Sequence, residues 1–121
     1  GGAICLGGDI SEPGYHIEVE VAVVPSFDIP AAAINEHARQ SRFSNNTTTD
    51  DHGIHCVGWL EQDGQNWFLI KDSGSGARTG KHHGYFFYRE DYIKLKMMNI
   101  MVHKDAAPDL WKKCQAAAKN D

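Results

Sequence analysis

The arrangement of apolar and polar residues in the middle of the chain predicts three strands joined by turns. These strands correspond to residues 51–59, 67–74 and 80–88. Asp63-Gly64 separates the first two strands, and this dipeptide between apolar stretches is typical of a tight hairpin turn. A glycine-rich run over residues 74–80 joins the second strand to the third. The pattern therefore predicts a hairpin that is extended by a third strand.

The segments before and after these strands predict further elements. Small residues in 2–10 favour a strand that another backbone or a substrate can approach closely. The alternation from His16 to Val24 predicts a strand exposed on one side. The alanine-rich stretch 31–43 predicts a surface helix. Residues 97–103 are mostly apolar and predict a closing strand.

The C-terminal region predicts a helix that begins at Pro108 and ends at Ala118. Proline is favoured in the first turn of a helix, where its missing N–H is no loss. Leu110, Trp111, Cys114 and Ala118 recur at helical spacing. We therefore expect these four residues to form one packing face.

Composition restricts the classes of function. With 121 residues, 41% hydrophobic and 23% charged, the chain is typical of one soluble globular domain. The net charge is −4 and no basic stripe is present, which gives nucleic-acid binding no electrostatic support. No apolar run approaches the roughly 20 residues of a membrane span. The three cysteines, Cys5, Cys56 and Cys114, are too few and too far apart to indicate a disulfide framework.

One histidine and one aspartate have the positions that a catalytic pair needs. Strand alternation places Phe68, Ile70 and Asp72 on one face, and a carboxylate at the end of an apolar face requires a partner. His52 begins the first strand, so antiparallel pairing brings it to the end of the second. We therefore expect a hydrogen bond of about 2.7–3.2 Å between His52 and Asp72. A carboxylate that orients an imidazole forms two-thirds of a nucleophilic triad.

The three strands also resemble those of a known family. Residues 51–59, Asp-His-Gly-Ile-His-Cys-Val-Gly-Trp, resemble the histidine-bearing strand of papain-like cysteine peptidases. Residues 67–74 resemble that family's next strand, which usually ends in Lys-Asn-Ser-Trp-Gly, and 84–86 resemble the Gly-Tyr-aromatic strand that follows. The order and spacing of all three segments agree. The wider pattern, over residues 2–104, is most similar to the bleomycin hydrolase branch.

This resemblance implies an α+β fold: a papain-like C-terminal domain with an antiparallel, partly barrel-like sheet and peripheral helices. Residues 1–104 would form the β domain, and 105–121 the C-terminal helix. The domain would face a helical N-terminal half that bears the nucleophilic cysteine, with a peptide substrate in the cleft between them. A chain without that half is expected to expose apolar surface and to form homo-oligomers.

The resemblance also implies roles for individual residues. His52 would be the catalytic base and Asp72 would orient it. Gly7, Asp51 and Gly53 would shape the substrate cleft. No cofactor is implied. No glutamine precedes Cys5 at the family's spacing, so we expect the nucleophile to lie outside this chain and the chain alone to be inactive.

Two positions depart from the family's pattern. Asp72 stands where the family has asparagine, and Gly74 stands where it has tryptophan. A carboxylate still accepts a hydrogen bond from imidazole, whereas the missing ring leaves that bond more open to water. These departures favour an alternative, a catalytically degenerate module that binds a peptide or a protein partner.

Two other interpretations have weaker support. His52, His55 and Cys56 are all residue types that bind zinc, but side chains three apart on a strand diverge and no second ligand cluster has suitable spacing. The run from Gly74 to Lys81 contains glycines and a lysine. It lacks the four-residue interval of a phosphate-binding loop, and no helix is predicted to follow it.

Overall fold

The computed structural model describes residues 2–119, and a seven-stranded sheet occupies its centre. The strands follow the order β2-β3-β6-β5-β4-β1-β7 across the sheet. They are β1 (Ile4–Gly8), β2 (Tyr15–His16), β3 (Val21–Ala22), β4 (His52–Gln62), β5 (Gln65–Lys71), β6 (Tyr85–Arg89) and β7 (Met97–Met101). Three α-helices accompany them, namely α1 (Glu36–Ser44), α2 (Glu90–Lys96) and α3 (Pro108–Ala118). Short 3₁₀ turns span Ala31–Ala33, Gly76–Arg78 and Lys104–Ala106.

The predicted α+β class is confirmed, as a curled seven-stranded sheet with three helices. The expected antiparallel sheet has one exception, because β3 and β6 pair in parallel. All other neighbouring strands are antiparallel. β2 and β3 form an antiparallel pair, and β3 joins the sheet beside β6 and runs in the same direction as β6.

The predicted hairpin is present as β4 and β5. Gln62 pairs with Gln65, so two residues form the loop. Both loop residues have left-handed backbone angles, with φ of 53° at Asp63 and 71° at Gly64. These angles match the turn that best suits the right-handed twist of paired strands. The sequence at this point therefore determines the register that places His52 relative to Asp72.

One contact changes two of the predicted strands. The segment from His16 to Val24 is not one strand, because Glu20 has a φ of 57° and its N–H bonds back to the Ile17 carbonyl. The buried Glu20 carboxylate accepts hydrogen bonds from the backbone N–H and the ring of His82. That contact also holds residues 80–84 in a turn, and the strand predicted over 80–88 begins only at Tyr85.

Of the two predicted helices, one differs from the prediction in its bounds and the other in its packing. The helix expected over 31–43 begins later, because Asn35 caps α1 by accepting a hydrogen bond from the Ala38 N–H at 2.9 Å. The helix from Pro108 to Ala118 is confirmed with both bounds. Its predicted packing face is wrong, since none of its residues is buried and Trp111 remains 46% exposed.

The core lies on the face of the sheet that α2 covers. Tyr88, Tyr92, Phe86, Ile70 and Leu95 are its largest fully buried apolar side chains. Aromatic rings dominate it: Tyr88 packs edge-on against Tyr92, with ring centroids 5.2 Å apart. Other large apolar residues remain exposed on the described surface, including Trp59, Phe27 and Met101. Their exposure is consistent with the expected self-association, which stays a prediction.

One ion pair is enclosed beside the core. The ammonium of Lys96, at the end of α2, lies 2.9 Å from a carboxylate oxygen of Glu12, and the Lys96 side chain is only 1% exposed. Glu12 also accepts a hydrogen bond from the Thr48 hydroxyl at 3.1 Å. The pair thus connects α2 to the loop before β2 and to the segment that leads into β4. None of the helices within residues 2–119 has the length and apolar character needed to cross a membrane.

Candidate active site

The central hairpin brings His52 and Asp72 together. His52 is the first residue of β4, and Asp72 directly follows the last residue of β5. The Nε2 atom of His52 lies 2.8 Å from Oδ1 of Asp72, so the predicted hydrogen bond is confirmed. The Asp72 side chain is 1% exposed and that of His52 is 24% exposed. The carboxylate is therefore enclosed, while the imidazole reaches the surface.

Backbone contacts fix the position of Asp72. Its Oδ1 accepts a second hydrogen bond, from the Gly74 N–H at 2.7 Å. Its own N–H donates to the Gly84 carbonyl at 2.8 Å. Gly84 has a φ of 98°, and a Cβ there would lie 2.7 Å from the Asp72 carbonyl oxygen. Only glycine combines this backbone angle with so close an approach, so Gly84 helps to set the position of Asp72.

The segment before His52 is anchored by a buried carboxylate. Asp9, 3% exposed, accepts hydrogen bonds from Ser11 and from the Thr49 N–H, the latter at 2.8 Å. Burial alone would raise the pKa of Asp9, but these hydrogen bonds together hold that pKa below its ordinary value. The Asp51 N–H also donates to the Gly8 carbonyl. These contacts fix the backbone that directly precedes His52, and they therefore help to position His52 at the start of β4.

The hydrogen bond to Asp72 decides which imidazole nitrogen is available for chemistry. Because Oδ1 of Asp72 is an acceptor, neutral His52 carries its proton on Nε2. The other nitrogen, Nδ1, then holds a lone pair and can accept a proton. No hydrogen bond joins Nδ1 to a partner within residues 2–119. The pair therefore has the arrangement of an oriented general base.

A cleft of about 820 Å³ opens beside His52. The three residues predicted to shape a substrate cleft, Gly7, Asp51 and Gly53, all line it. Asp51 and Gly53 are exposed, and a Cβ built on Gly53 meets no atom within 4 Å. The structure therefore brings the predicted cleft residues to the same opening as His52. Further lining residues that the pattern did not indicate are Asp50, Lys71, Arg78, His83, Tyr85 and Asn99.

Gly7 has a role that its small size alone did not reveal. It lies between Gly53 of β4 and Asn99 of β7. A Cβ on Gly7 would lie 2.6 Å from the amide of Asn99. That amide donates to the Asp50 carboxylate at 2.5 Å. Because Gly7 has no side chain, the Asn99 side chain can extend over it and bind the Asp50 carboxylate. This contact anchors the loop that precedes His52.

The cysteines do not form a nucleophile site with His52. Cys5 pairs with His55, three residues along β4 from His52, which corresponds to about 10 Å. Cys56 is half-buried, and burial raises the pKa of its thiol, the opposite of what an activated thiol needs. Cys114 is exposed on α3. All three are free thiols.

Metal binding and similarity to known proteins give no further assignment. Across residues 2–119, no three histidine, cysteine, aspartate or glutamate side chains come close enough together to hold a metal ion. His55 is exposed. The chain matches no model of a known protein family and no curated protein.

Proposed function

We propose that this chain is the histidine-bearing part of a papain-like cysteine peptidase, similar to the bleomycin hydrolase branch. One observation carries the proposal: the Nε2 atom of His52 is hydrogen-bonded to the enclosed Asp72 carboxylate beside an open cleft. The half-barrel sheet and the order of its three central strands are consistent with the sequence resemblance.

In the proposed reaction, His52 acts first as a base and then as an acid. Its Nδ1 takes the proton of a cysteine thiol supplied by the N-terminal half, which leaves a thiolate and an imidazolium. The thiolate attacks the peptide carbonyl, and the imidazolium gives its proton to the departing amine. Water, deprotonated by His52, then releases the acyl group and restores the thiol. Asp72 keeps the ring oriented throughout.

The cleft residues support a role in holding a peptide. Gly53 presents bare backbone to the cleft, so an extended peptide can approach without meeting a side chain. Asp51 adds a negative charge on the same side of the cleft as His52. A peptide bound along this edge would place a carbonyl near Nδ1 of His52.

A catalytically degenerate module that binds peptides is the second candidate. The observation that favours it is Gly74, whose backbone lies directly against the His52–Asp72 pair. A Cβ there would be 3.1 Å from Oδ1 of Asp72 and 3.3 Å from Cε1 of His52. With no side chain at this position, nothing from residue 74 extends over the hydrogen bond to exclude water.

An assay of peptide hydrolysis distinguishes the peptidase from the degenerate binding module. The chain is assayed alone and after it is combined with the proposed thiol-bearing half. The peptidase proposal predicts no turnover by the chain alone and turnover by the combination, with Cys5→Ser as a control that leaves the activity unchanged. Binding of the peptide without turnover, even with the thiol-bearing half present, supports the degenerate module instead. Turnover by the chain alone that disappears in Cys5→Ser contradicts the placement of the nucleophile outside this chain.

A further inference from the structure

Glu20 is a buried acidic residue that contacts the segment 82–87 at both of its ends. Its side chain is 7% exposed, and its carboxylate accepts a hydrogen bond from the His82 N–H at 2.5 Å and contacts Nδ1 of the His82 ring. Its backbone carbonyl accepts a hydrogen bond from the Phe87 N–H at 2.9 Å. One residue thus binds positions 82 and 87, and Gly84 lies between them.

The backbone at Glu20 has a conformation that glutamate rarely adopts. Its φ is 57°, in the left-handed region that is sterically disfavoured for a residue with a Cβ. His83, which directly follows the contacted His82, has a φ of 44°. Such angles persist where the surrounding structure requires them, and they are frequent at functional sites. Two residues with left-handed angles thus lie on opposite sides of one contact.

Gly80 leaves the space that the Glu20 carboxylate occupies. A Cβ built on Gly80 would overlap the Glu20 side chain, including Oε1, the oxygen that accepts the His82 N–H. The backbone of Gly80 has no left-handed angle, so alanine there would introduce this overlap without backbone strain. Gly80→Ala is therefore a way to displace the carboxylate while residue 20 stays glutamate.

The charge of Glu20 suits both donors of His82. Burial acts to raise the pKa of Glu20, but the hydrogen bonds from the ring and the backbone N–H of His82 together hold that pKa below its ordinary value. An ionised carboxylate accepts hydrogen bonds at both oxygens. One oxygen binds the backbone of His82 and the other its ring, so the contact fixes both parts of the residue.

The segment that Glu20 fixes supports the candidate catalytic pair. Gly84 lies two residues after His82, and its carbonyl accepts a hydrogen bond from the Asp72 N–H at 2.8 Å. Oδ1 of Asp72 in turn lies 2.8 Å from Nε2 of His52. Each step from Glu20 to the imidazole is therefore a hydrogen bond or a short stretch of covalent backbone.

We propose that Glu20 is a positioning residue for the candidate catalytic pair. Through His82 it holds the turn that presents the Gly84 carbonyl to the Asp72 N–H. Asp72 is thereby kept in the place from which its Oδ1 binds the His52 ring. The contacts are a property of this chain, whereas their consequence for turnover rests on the proposed peptidase function.

Hydrogen exchange and histidine NMR spectra test this role without any catalytic assay. In Glu20→Ala we expect the Asp72 and Gly84 amides to exchange at least about tenfold faster than in the unaltered chain, because the turn opens locally. We also expect the His52 ring, a single Nε2–H tautomer in the unaltered chain at pH 8, to become a mixture of two tautomers. Paired amides of β1 and β7, which at least two strands separate from β6, should keep their exchange rates.

Two further variants separate the carboxylate from the backbone at residue 20, and they keep the test decisive if Glu20→Ala does not fold. Glu20→Gly removes the carboxylate and relieves the left-handed angle, so the same changes in this variant assign the effect to the side chain. Gly80→Ala retains Glu20 and displaces its carboxylate, and we expect it to give the same mixture of His52 tautomers. A folded Glu20→Gly chain that keeps the single tautomer overturns the proposal, whatever its exchange rates.

Glu90→Gln is the matched control. The Glu90 carboxylate also joins two elements, since it accepts a hydrogen bond from the Asn66 amide at 3.2 Å and lies 3.1 Å from the Lys94 ammonium. It lies at the opposite end of β6 from Gly84. The proposed role predicts that this variant keeps the exchange rates of the Asp72 and Gly84 amides. An acceleration equal to that of Glu20→Ala would show a general loss of stability and would overturn the proposal.

The outcome is distinct from that of the peptidase assay. Faster exchange and mixed tautomers in Glu20→Gly, in a chain that never supports turnover with the proposed thiol-bearing half, establish the positioning role and reject the peptidase function. A combination that hydrolyses peptides equally well with Glu20→Gly and with the unaltered chain, with the single His52 tautomer kept, rejects the positioning role alone.

Discussion

Asp72 binds His52 through one carboxylate oxygen, with Oδ1 2.8 Å from Nε2, and the same oxygen accepts the Gly74 N–H. The backbone therefore fixes the carboxylate that orients the imidazole. Such fixation favours one orientation of the imidazole ring.

The proposed peptidase function predicts that Asp72→Ala lowers turnover while the sheet stays folded. Without its acceptor, His52 samples both tautomers and several ring orientations, and we predict a loss in kcat/KM of roughly 10²-fold or more for the chain combined with its thiol-bearing half. Asp72→Asn, which keeps an acceptor oxygen, should lose less. Circular dichroism checks the fold of each variant. Equal activity of Asp72→Ala and the unaltered chain would reject the orienting role.

Gly84→Ala should destabilise the protein and displace Asp72. The substitution combines a φ of 98° with a Cβ that would approach the Asp72 carbonyl oxygen to 2.7 Å. We expect a loss of about 1–3 kcal/mol in the free energy of unfolding, measured with urea. Gly53→Ala is the control, because its Cβ enters open space and should change the stability by less than about 0.5 kcal/mol. Equal effects of the two substitutions would count against the proposed strain.

Lys96→Met should destabilise the fold by leaving the Glu12 carboxylate enclosed without its cation. Removing one partner of a buried ion pair typically lowers the free energy of unfolding by about 3–5 kcal/mol, because the other charge stays buried without compensation. Glu12→Gln removes the charge but keeps an acceptor for the Thr48 hydroxyl, which lies 3.1 Å from the carboxylate. The double variant is therefore expected to recover most of the lost stability in urea unfolding. Additive losses in a double-mutant cycle would show that the two side chains are not coupled.

Stability is expected to fall in acid through Asp9. The folded-state pKa of Asp9 is lowered, so its contribution is fully present above the unfolded value of about 3.9 and is lost as the pH falls through the lower folded-state pKa. Asp9→Asn should lower the stability at pH 6 and flatten the pH dependence below about pH 4. Thermal unfolding from pH 2 to pH 7 measures both effects. A variant with the acid dependence of the unaltered chain would contradict this assignment.

Local signals in the sequence were sufficient for the parts of the fold that depend on neighbouring residues. Asp63-Gly64 specifies a two-residue turn, and this turn fixes the register between β4 and β5. The register then determines that His52 and Asp72 lie at the same end of the hairpin. The C-terminal helix was predictable in the same way, because Pro108 marks its first turn.

Contacts between distant segments were not predictable from the pattern. The alternation from His16 to Val24 is interrupted because the Glu20 carboxylate binds residue 82, which is 62 positions away. β3 and β6 pair in parallel directly after Glu20, whose carbonyl accepts a hydrogen bond from the Phe87 N–H at 2.9 Å.

The most direct test of the central claim is the rate at which iodoacetamide alkylates the thiol-bearing half at pH 6. An ordinary thiol, with a pKa of about 8.5, is almost entirely protonated at this pH and reacts slowly. If His52 forms a thiolate–imidazolium pair, addition of this chain should accelerate alkylation of one cysteine by at least about tenfold. The His52→Ala chain should leave the slow rate unchanged. An equal acceleration by the unaltered chain and by His52→Ala, or none by either, would contradict the claim that His52 is the base of a cysteine peptidase.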